Sequence, residues 1–286
     1  MKLCRFQSPQ SPWPCVGLLS GAHSILDLST VGVESLTELL EKPDPVAEVT
    51  RRAARNPRAV PLDQIRLLAP VEQQEVWAAG VTYLQSKAAR MVESEFSATA
   101  YDRVYDAARP ELFFKSLPAK VVPPLGRIGI RRDANWNVPE PELALVLNSR
   151  GQVAGYTAGN DMSSRDIEGE NLLYLPQAKV YTASCALGPF ITIGVTEADV
   201  RQWIVRVCIE RAGFEVFRGE TSVARIKRGF DELAGWLFRS QEFPGGAVLL
   251  TGTGVVPPDS FTLAEGDIVT VGVSGVGDLQ NTVSIV

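Results

Sequence analysis

Histidine is nearly absent from this chain of 286 residues, and its scarcity excludes several kinds of site. His23 is the single histidine, so a Ser-His-Asp triad would depend on it, and a histidine-rich zinc site is excluded. It lies between short apolar runs in GAHSILDLS, which favours a structural or surface role. Acid–base chemistry must therefore come from carboxylates, lysine, tyrosine or bound water.

Long apolar runs, a basic surplus and a dense cysteine framework are also missing. No run approaches the ~18 apolar residues of a transmembrane helix, and the N-terminus lacks the apolar segment of a secretion signal. A net charge of −5 without a basic run argues against a nucleic-acid surface. Cys4, Cys15, Cys185 and Cys208 fit neither a zinc site nor a disulfide network. We therefore expect a cytoplasmic protein with reduced thiols and no membrane or nucleic-acid partner.

The sequence divides near residue 70. Residues 1–70 contain short strand-like and helix-like segments before a proline-rich connector, which predicts a small N-terminal α+β domain. Residues 71–286 carry many glycine-punctuated strand-like segments and no regular strand–helix alternation, which predicts an α+β, strongly β main domain. Within it, apolar residues of Ser222–Phe238 step by three and four, which predicts one amphipathic helix.

Three carboxylates, Glu140, Glu142 and Asp161, are the most informative residues of the chain. Glu140 and Glu142 are two apart, so on a strand they point to the same face. A two-residue loop between Ser149 and Gln152 would pair these two residues and, in the same register, place Glu140 opposite Asp161. Carboxylates that close repel one another unless a cation neutralises them, and oxygen-only ligands suit Mg²⁺, Mn²⁺ or Ca²⁺.

Further candidates for chemistry surround these carboxylates in the sequence. Lys179 lies in an irregular segment, where a nearby metal would favour its action as a base. Arg165 follows Asp161 closely and is suited to bind a substrate carboxylate, although a surface role is an equal alternative. Glu93 and Glu111 are further candidate bases.

Taken together, the segments PEPELALVLN, AGYTAGNDMSSRD, QAKVY, CALGPF, GETS, LLTGTG and EGDIVTVGVSGVGDLQNTV resemble the fumarylacetoacetate hydrolase superfamily over roughly residues 70–286. The resemblance implies a mixed β roll, usually dimeric, with Mg²⁺ as the metal. It implies Glu140, Glu142 and Asp161 as the metal ligands and Lys179 as an active-site residue. It further implies four residues around the substrate: Arg165, Glu168, Thr221 and Thr253.

One position departs from the hydrolytic members of that superfamily. Ser86 stands where they have a histidine base, so it is expected to contact substrate but not to activate water. The surrounding segments look like the 2-keto-3-deoxy-pentonate dehydratase branch. That likeness implies Mg²⁺-dependent conversion of a 2-keto-3-deoxy-D-arabinonate-like acid to 2,5-dioxopentanoate, with Lys179, Glu111 or Glu93 as the base. The alternatives are an acylpyruvate-type hydrolase or 2-oxo acid decarboxylase, and a non-catalytic protein that binds metal and a 2-oxo acid. A homodimer or higher homo-oligomer is implied in each case.

Overall fold

The structure, a computed structural model, describes residues 1–83 and 104–286. Its strands in these two ranges are β1 Lys2–Gln7, β2 Cys15–Ser20, β3 Ser24–Asp27, β4 Arg58–Pro61, β5 Arg66–Leu68, β6 Glu75–Gly80, β7 Glu111–Ser116, β8 Arg127–Ile130, β9 Asn137–Val138, β10 Pro141–Leu147, β11 Val153–Asp161, β12 Ser163–Ser164, β13 Cys185–Thr192, β14 Ile204–Arg211, β15 Phe214–Ser222, β16 Ala247–Leu250, β17 Ile268–Val273 and β18 Gly277–Ile285. The α-helices are α1 Leu36–Leu40, α2 Pro45–Ala53, α3 Arg165–Glu170, α4 Leu175–Lys179, α5 Glu197–Val200 and α6 Phe230–Leu237. Short 3₁₀ turns span Leu28–Val31, Leu62–Gln64, Pro118–Lys120, Leu172–Tyr174 and Val223–Arg225. In the described ranges, every helix is too short or too polar to cross a membrane.

Two large sheets dominate the architecture. The first has eleven strands in the order β4-β3-β2-β1-β13-β11-β10-β16-β6-β7, with β5 added beside β1. The second has five strands in the order β15-β14-β17-β18-β8. Both are mixed, because β6 pairs parallel with β16 and β8 parallel with β18, whereas their other pairs are antiparallel. This confirms the expected α+β, strongly β fold.

Strand β10 lies between two apolar cores because the large sheet is covered on both faces. Leu143 and Leu145 pack in a cluster with residues of the second sheet such as Val207. Ala144 and Val146 point the other way, into a cluster shared with residues of α1 and α2. Side chains alternate across a strand, so a strand buried on both faces is apolar on both, as β10 is over Leu143–Leu147, beyond the buried Glu142.

The first 70 residues share the large sheet with the rest of the chain. Strand β1 pairs with β13, at Leu3 opposite Ile191, and β2, β3 and β4 extend the sheet from there. The Glu72 carboxylate accepts hydrogen bonds from the backbone amides of Leu36 and Thr37 and so connects helix α1 to the segment that precedes β6. The domain boundary at residue 70 stays a prediction.

The prediction of one continuous helix over Ser222–Phe238 is wrong, but the predicted burial of its apolar residues is confirmed. The segment forms a 3₁₀ turn, an extended stretch and then α6. Tertiary contacts explain the interruption, because Ile226 forms a β-bridge with Tyr83 and the Lys227 amide donates to the Thr82 carbonyl. The apolar residues of the predicted stripe are all buried: Val223, Ile226, Phe230, Leu233 and Leu237.

Candidate metal and active site

The hairpin of β10 and β11 brings Glu140 and Asp161 together. The Asp161 amide donates to the Glu140 carbonyl at 3.0 Å, which confirms the predicted pairing. The predicted two-residue loop is wrong, however, because Asn148 pairs with Gln152 and leaves three loop residues. A bulge on the β11 side, between Val153 and Gly155, compensates for the longer loop and restores the register at the site.

The three carboxylates form one buried cluster. One oxygen from each of Glu140, Glu142 and Asp161 lies within 4.8 Å of the others, and all three side chains are buried. The Gly252 amide donates to Glu142 Oε2 at 2.6 Å. Burial raises the pKa of Glu142 well above its usual range, and the charges of Asp161 and Glu140 raise it further. Three oxygen donors that repel one another in a dry environment fit a hard divalent cation.

Two cationic side chains contact the cluster. Lys179 Nζ donates to Glu140 Oε2 at 2.7 Å and to Ser163 Oγ at 2.6 Å. Arg165 Nη2 donates to Glu140 Oε1 at 2.6 Å. Lys179 ends α4 and Arg165 begins α3, so two short helices place both cations on Glu140. Glu168 is on the inner side of α3, with its carboxylate 3.9 Å from Lys179 Nζ.

A third cation, Lys115, was not predicted to belong to the site. It lies on β7, is fully buried, and its Nζ is 2.5 Å from Asp161 Oδ1. The sequence analysis identified only the strand ELFFKS around it. A signal was present, because a lysine that directly follows three apolar residues in a strand can be buried, and a buried charge needs a partner.

A cavity of about 430 Å³ opens onto the carboxylates and is bordered by Lys179, Arg165 and Thr253. Thr253 Oγ1 donates to the Val255 carbonyl at 3.0 Å. Thr221 lies one layer behind, where a Cβ on Gly254 would be 2.8 Å from its hydroxyl.

Glu111 lies opposite Gly80, which borders the cavity. A Cβ at position 80 would collide with the Glu111 carboxylate, so glycine leaves room for it there. Two predicted site residues, Ser86 and Glu93, lie outside the described residues. His23 is exposed in the turn between β2 and β3, and all four cysteines are free thiols.

The sequence that contains this site matches a family of known proteins. Residues 75–284 match the family described as fumarylacetoacetate (FAA) hydrolase C-terminal. This chain belongs to the fumarylacetoacetate hydrolase family. The matched range contains every described residue of the carboxylate cluster and its cations.

Relatives within this family carry dehydratase names. A probable 2-keto-3-deoxyxylonate dehydratase of Haloferax volcanii is 47% identical over 217 residues, which are 76% of this chain and 74% of that protein. The 2-dehydro-3-deoxy-D-arabinonate dehydratase of Saccharolobus solfataricus is 38% identical over 221 residues, again 76% and 74% of the two chains. A solved structure of 2-keto-3-deoxy-D-arabinonate dehydratase complexed with magnesium and 2,5-dioxopentanoate superposes with a TM-score of 0.80. It is 31% identical, and the match covers 100% of this family member and 99% of that chain.

Proposed function

We propose that this protein is a Mg²⁺-dependent dehydratase that converts a 2-keto-3-deoxy sugar acid, such as 2-keto-3-deoxy-D-arabinonate, to 2,5-dioxopentanoate. The observation that carries the proposal is the buried carboxylate cluster with Lys179 and Arg165 at one end of a cavity. The names of the two dehydratase relatives, and the product and magnesium in the similar solved structure, support the choice of reaction.

Glu140, Glu142 and Asp161 are the proposed metal residues. Their donor atoms suit Mg²⁺ and would also accept Mn²⁺ or Ca²⁺. A bound Mg²⁺ would polarise the 2-oxo group of the substrate and stabilise the negative charge that develops when a C3 proton is removed.

Different side chains are assigned to the separate proton transfers of the dehydration. Lys179 Nζ already donates to two oxygens, so as an ammonium it has protons to give and no lone pair to accept one. Glu111 carries a carboxylate beside the cavity wall at Gly80, and we assign it the C3 proton. The hydroxyl leaves C4 as water after accepting a proton, and we assign that proton to Lys179, which contacts the carboxylate cluster and borders the cavity. The resulting 5-hydroxy-2-oxo-3-enoate loses a C5 proton and gains one at C3, and the enol so formed tautomerises to 2,5-dioxopentanoate by protonation at C4. Arg165 and Thr253 border the same cavity and are assigned to substrate binding. Glu168 lies near Lys179 and Thr221 lies near Gly254, and we assign both to positioning the residues that border the cavity.

Assembly and location complete the proposal. We propose a cytoplasmic homodimer, on the resemblance to dimeric family members and on the four free thiols. Light scattering should then give about twice the chain mass of 31.0 kDa.

The proposal is tested by turnover of 2-keto-3-deoxy-D-arabinonate with Mg²⁺ and with excess EDTA, following 2,5-dioxopentanoate by mass spectrometry. We expect loss of one water only when Mg²⁺ is present. The absence of product from a protein that still binds Mg²⁺ would refute this substrate and favour acylpyruvate chemistry or a non-catalytic role.

Three glutamate variants assign the roles. Glu142→Gln should lose Mg²⁺ binding and turnover together, because a neutral amide replaces a metal ligand. Glu111→Gln should keep Mg²⁺ binding and lose kcat by about 10²- to 10⁴-fold, the usual effect of removing a general base. Glu170→Gln, at the exposed end of α3, is the matched control and should change neither. A Glu111→Gln protein with wild-type kcat would return the role of base to Lys179 or Glu93.

A further inference from the structure

Lys115 contacts three oxygen atoms at once. Besides the ion pair with Asp161 Oδ1, its Nζ donates to the Met162 carbonyl at 3.0 Å and to the Lys179 carbonyl at 2.5 Å. The second carbonyl ends helix α4, where no helical amide is available to it, and Ser184 Oγ also donates to it at 2.9 Å. Two of the three protons of the ammonium are therefore hydrogen-bonded to carbonyls, and its charge lies beside the Asp161 carboxylate.

These contacts suit the charged ammonium of Lys115, which faces one carboxylate and two carbonyl oxygens. Lys115 has no exposed surface, so it is not a direct ligand of a substrate in the cavity. It is absent from the residues that border the cavity, whereas Asp161 and Lys179, which it contacts, are among them. Its charge therefore acts on the site through those two residues.

Charge balance shows what this cation changes. Four buried carboxylates meet three buried cations in the described part of the site: Glu140, Glu142, Asp161 and Glu168 against Lys115, Lys179 and Arg165. With the three metal residues ionised, as metal binding requires, and Glu168 ionised beside Lys179, these seven side chains sum to −1. A divalent cation brings the sum to +1, and one substrate carboxylate then brings it to zero. Loss of Lys115 lowers the charge of the metal-loaded site by one unit, whatever the charge of the neighbouring Glu111, so the site attracts an anion less.

We propose that Lys115 is a positioning residue whose charge makes the metal-loaded site bind a monoanionic 2-oxo acid. This inference rests on the proposed function for the identity of the anion. The three contacts keep the charge beside Asp161 and the end of α4, where it supports the substrate site without occupying it. Metal binding needs no help from it, because an additional cation repels Mg²⁺.

The test separates metal binding from anion binding in two variants. Lys115→Gln keeps hydrogen-bond donors and removes the charge, whereas Lys115→Arg keeps the charge in a different shape. Calorimetry measures Mg²⁺ affinity first and then pyruvate affinity at saturating Mg²⁺. We expect Lys115→Gln to bind Mg²⁺ at least as tightly as wild type and pyruvate about tenfold or more weakly, the scale of one buried unit charge. Lys115→Arg should restore most of the pyruvate affinity, and Lys120→Gln, an exposed lysine nearby, is the control.

Equal losses of Mg²⁺ and pyruvate affinity in Lys115→Gln would overturn the inference, because they indicate a purely structural role. A folded Lys115→Arg protein as weak for pyruvate as Lys115→Gln would also overturn it. If Lys115→Arg does not fold, the comparison of Lys115→Gln with wild type decides alone. Pyruvate binding requires no dehydration, so failure of the sugar-acid assay leaves this test intact, whereas wild-type protein without Mg²⁺ binding would refute both proposals.

Discussion

Replacing Gly252 by alanine should damage the metal centre through the main chain. Gly252 has a φ of +89°, a conformation that L-residues avoid. An added Cβ would collide with Thr82 Oγ1 and lie 3.0 Å from the Ala79 carbonyl oxygen. Both the Thr82 hydroxyl, which donates to the Thr251 carbonyl, and the Gly252 amide, which donates to Glu142, would have to move.

The expected cost follows from these contacts. Backbone strain of about 1–2 kcal/mol and a lost hydrogen bond of about 1 kcal/mol predict a decrease of about 2–3 kcal/mol in the free energy of unfolding. Displacing the amide from Glu142 should also weaken Mg²⁺ binding by about 10- to 100-fold, as loss of an outer partner of a metal ligand does.

Gly213 provides a matched control. Its φ is +83°, close to that of Gly252, and a Cβ added there would meet nothing within 4 Å. Gly213→Ala should therefore cost only the strain, about 1–2 kcal/mol, and leave Mg²⁺ affinity unchanged. Urea unfolding and calorimetric Mg²⁺ titration of both variants measure the two effects. If Gly252→Ala matches Gly213→Ala in both assays, the assigned role of Gly252 in holding Glu142 is wrong.

Three further variants test other parts of the structure. Burial raises the pKa of the Cys4 thiol to about 12 from an ordinary value of 9.0. The protonated, buried thiol therefore stabilises the fold fully below pH 9, and this stabilisation is lost as the pH rises toward 12. Wild type should thus lose up to about 1.4 kcal/mol per pH unit relative to Cys4→Ala across that window, measured by urea unfolding; parallel curves would contradict this. Asn148→Ala removes an acceptor of the Arg150 and Gln152 amides and should cost about 1–2 kcal/mol in unfolding with unchanged Mg²⁺ affinity. Gly80→Ala should displace the Glu111 carboxylate and lower kcat while Mg²⁺ still binds, and an unchanged kcat would count against Glu111 as the base.

The local pattern of the sequence predicted the strongly β fold class and the carboxylate cluster, but not the long-range strand pairing. Spacing alone placed Glu140, Glu142 and Asp161 on one hairpin, because alternation and register are properties of neighbouring residues. Pairing of β1 with β13 joins residues about 190 positions apart, and no local pattern specifies it. Lys115 was missed for the same reason, since its partners Asp161 and Lys179 are distant in sequence.

The bulge in the β10–β11 hairpin makes the position of Asp161 independent of the length of the hairpin loop. The pairs from Val146–Gly155 to Pro141–Asn160 are regular, so these residues, and not the turn, hold Asp161 in place. Removing the bulged residue Ala154 would merely make the ladder regular, whereas removing Ala158 would turn Asp161 to the opposite face. The outer end of the hairpin is therefore free to vary in length among related chains or to accept an engineered insertion, while its inner end must keep a constant number of residues.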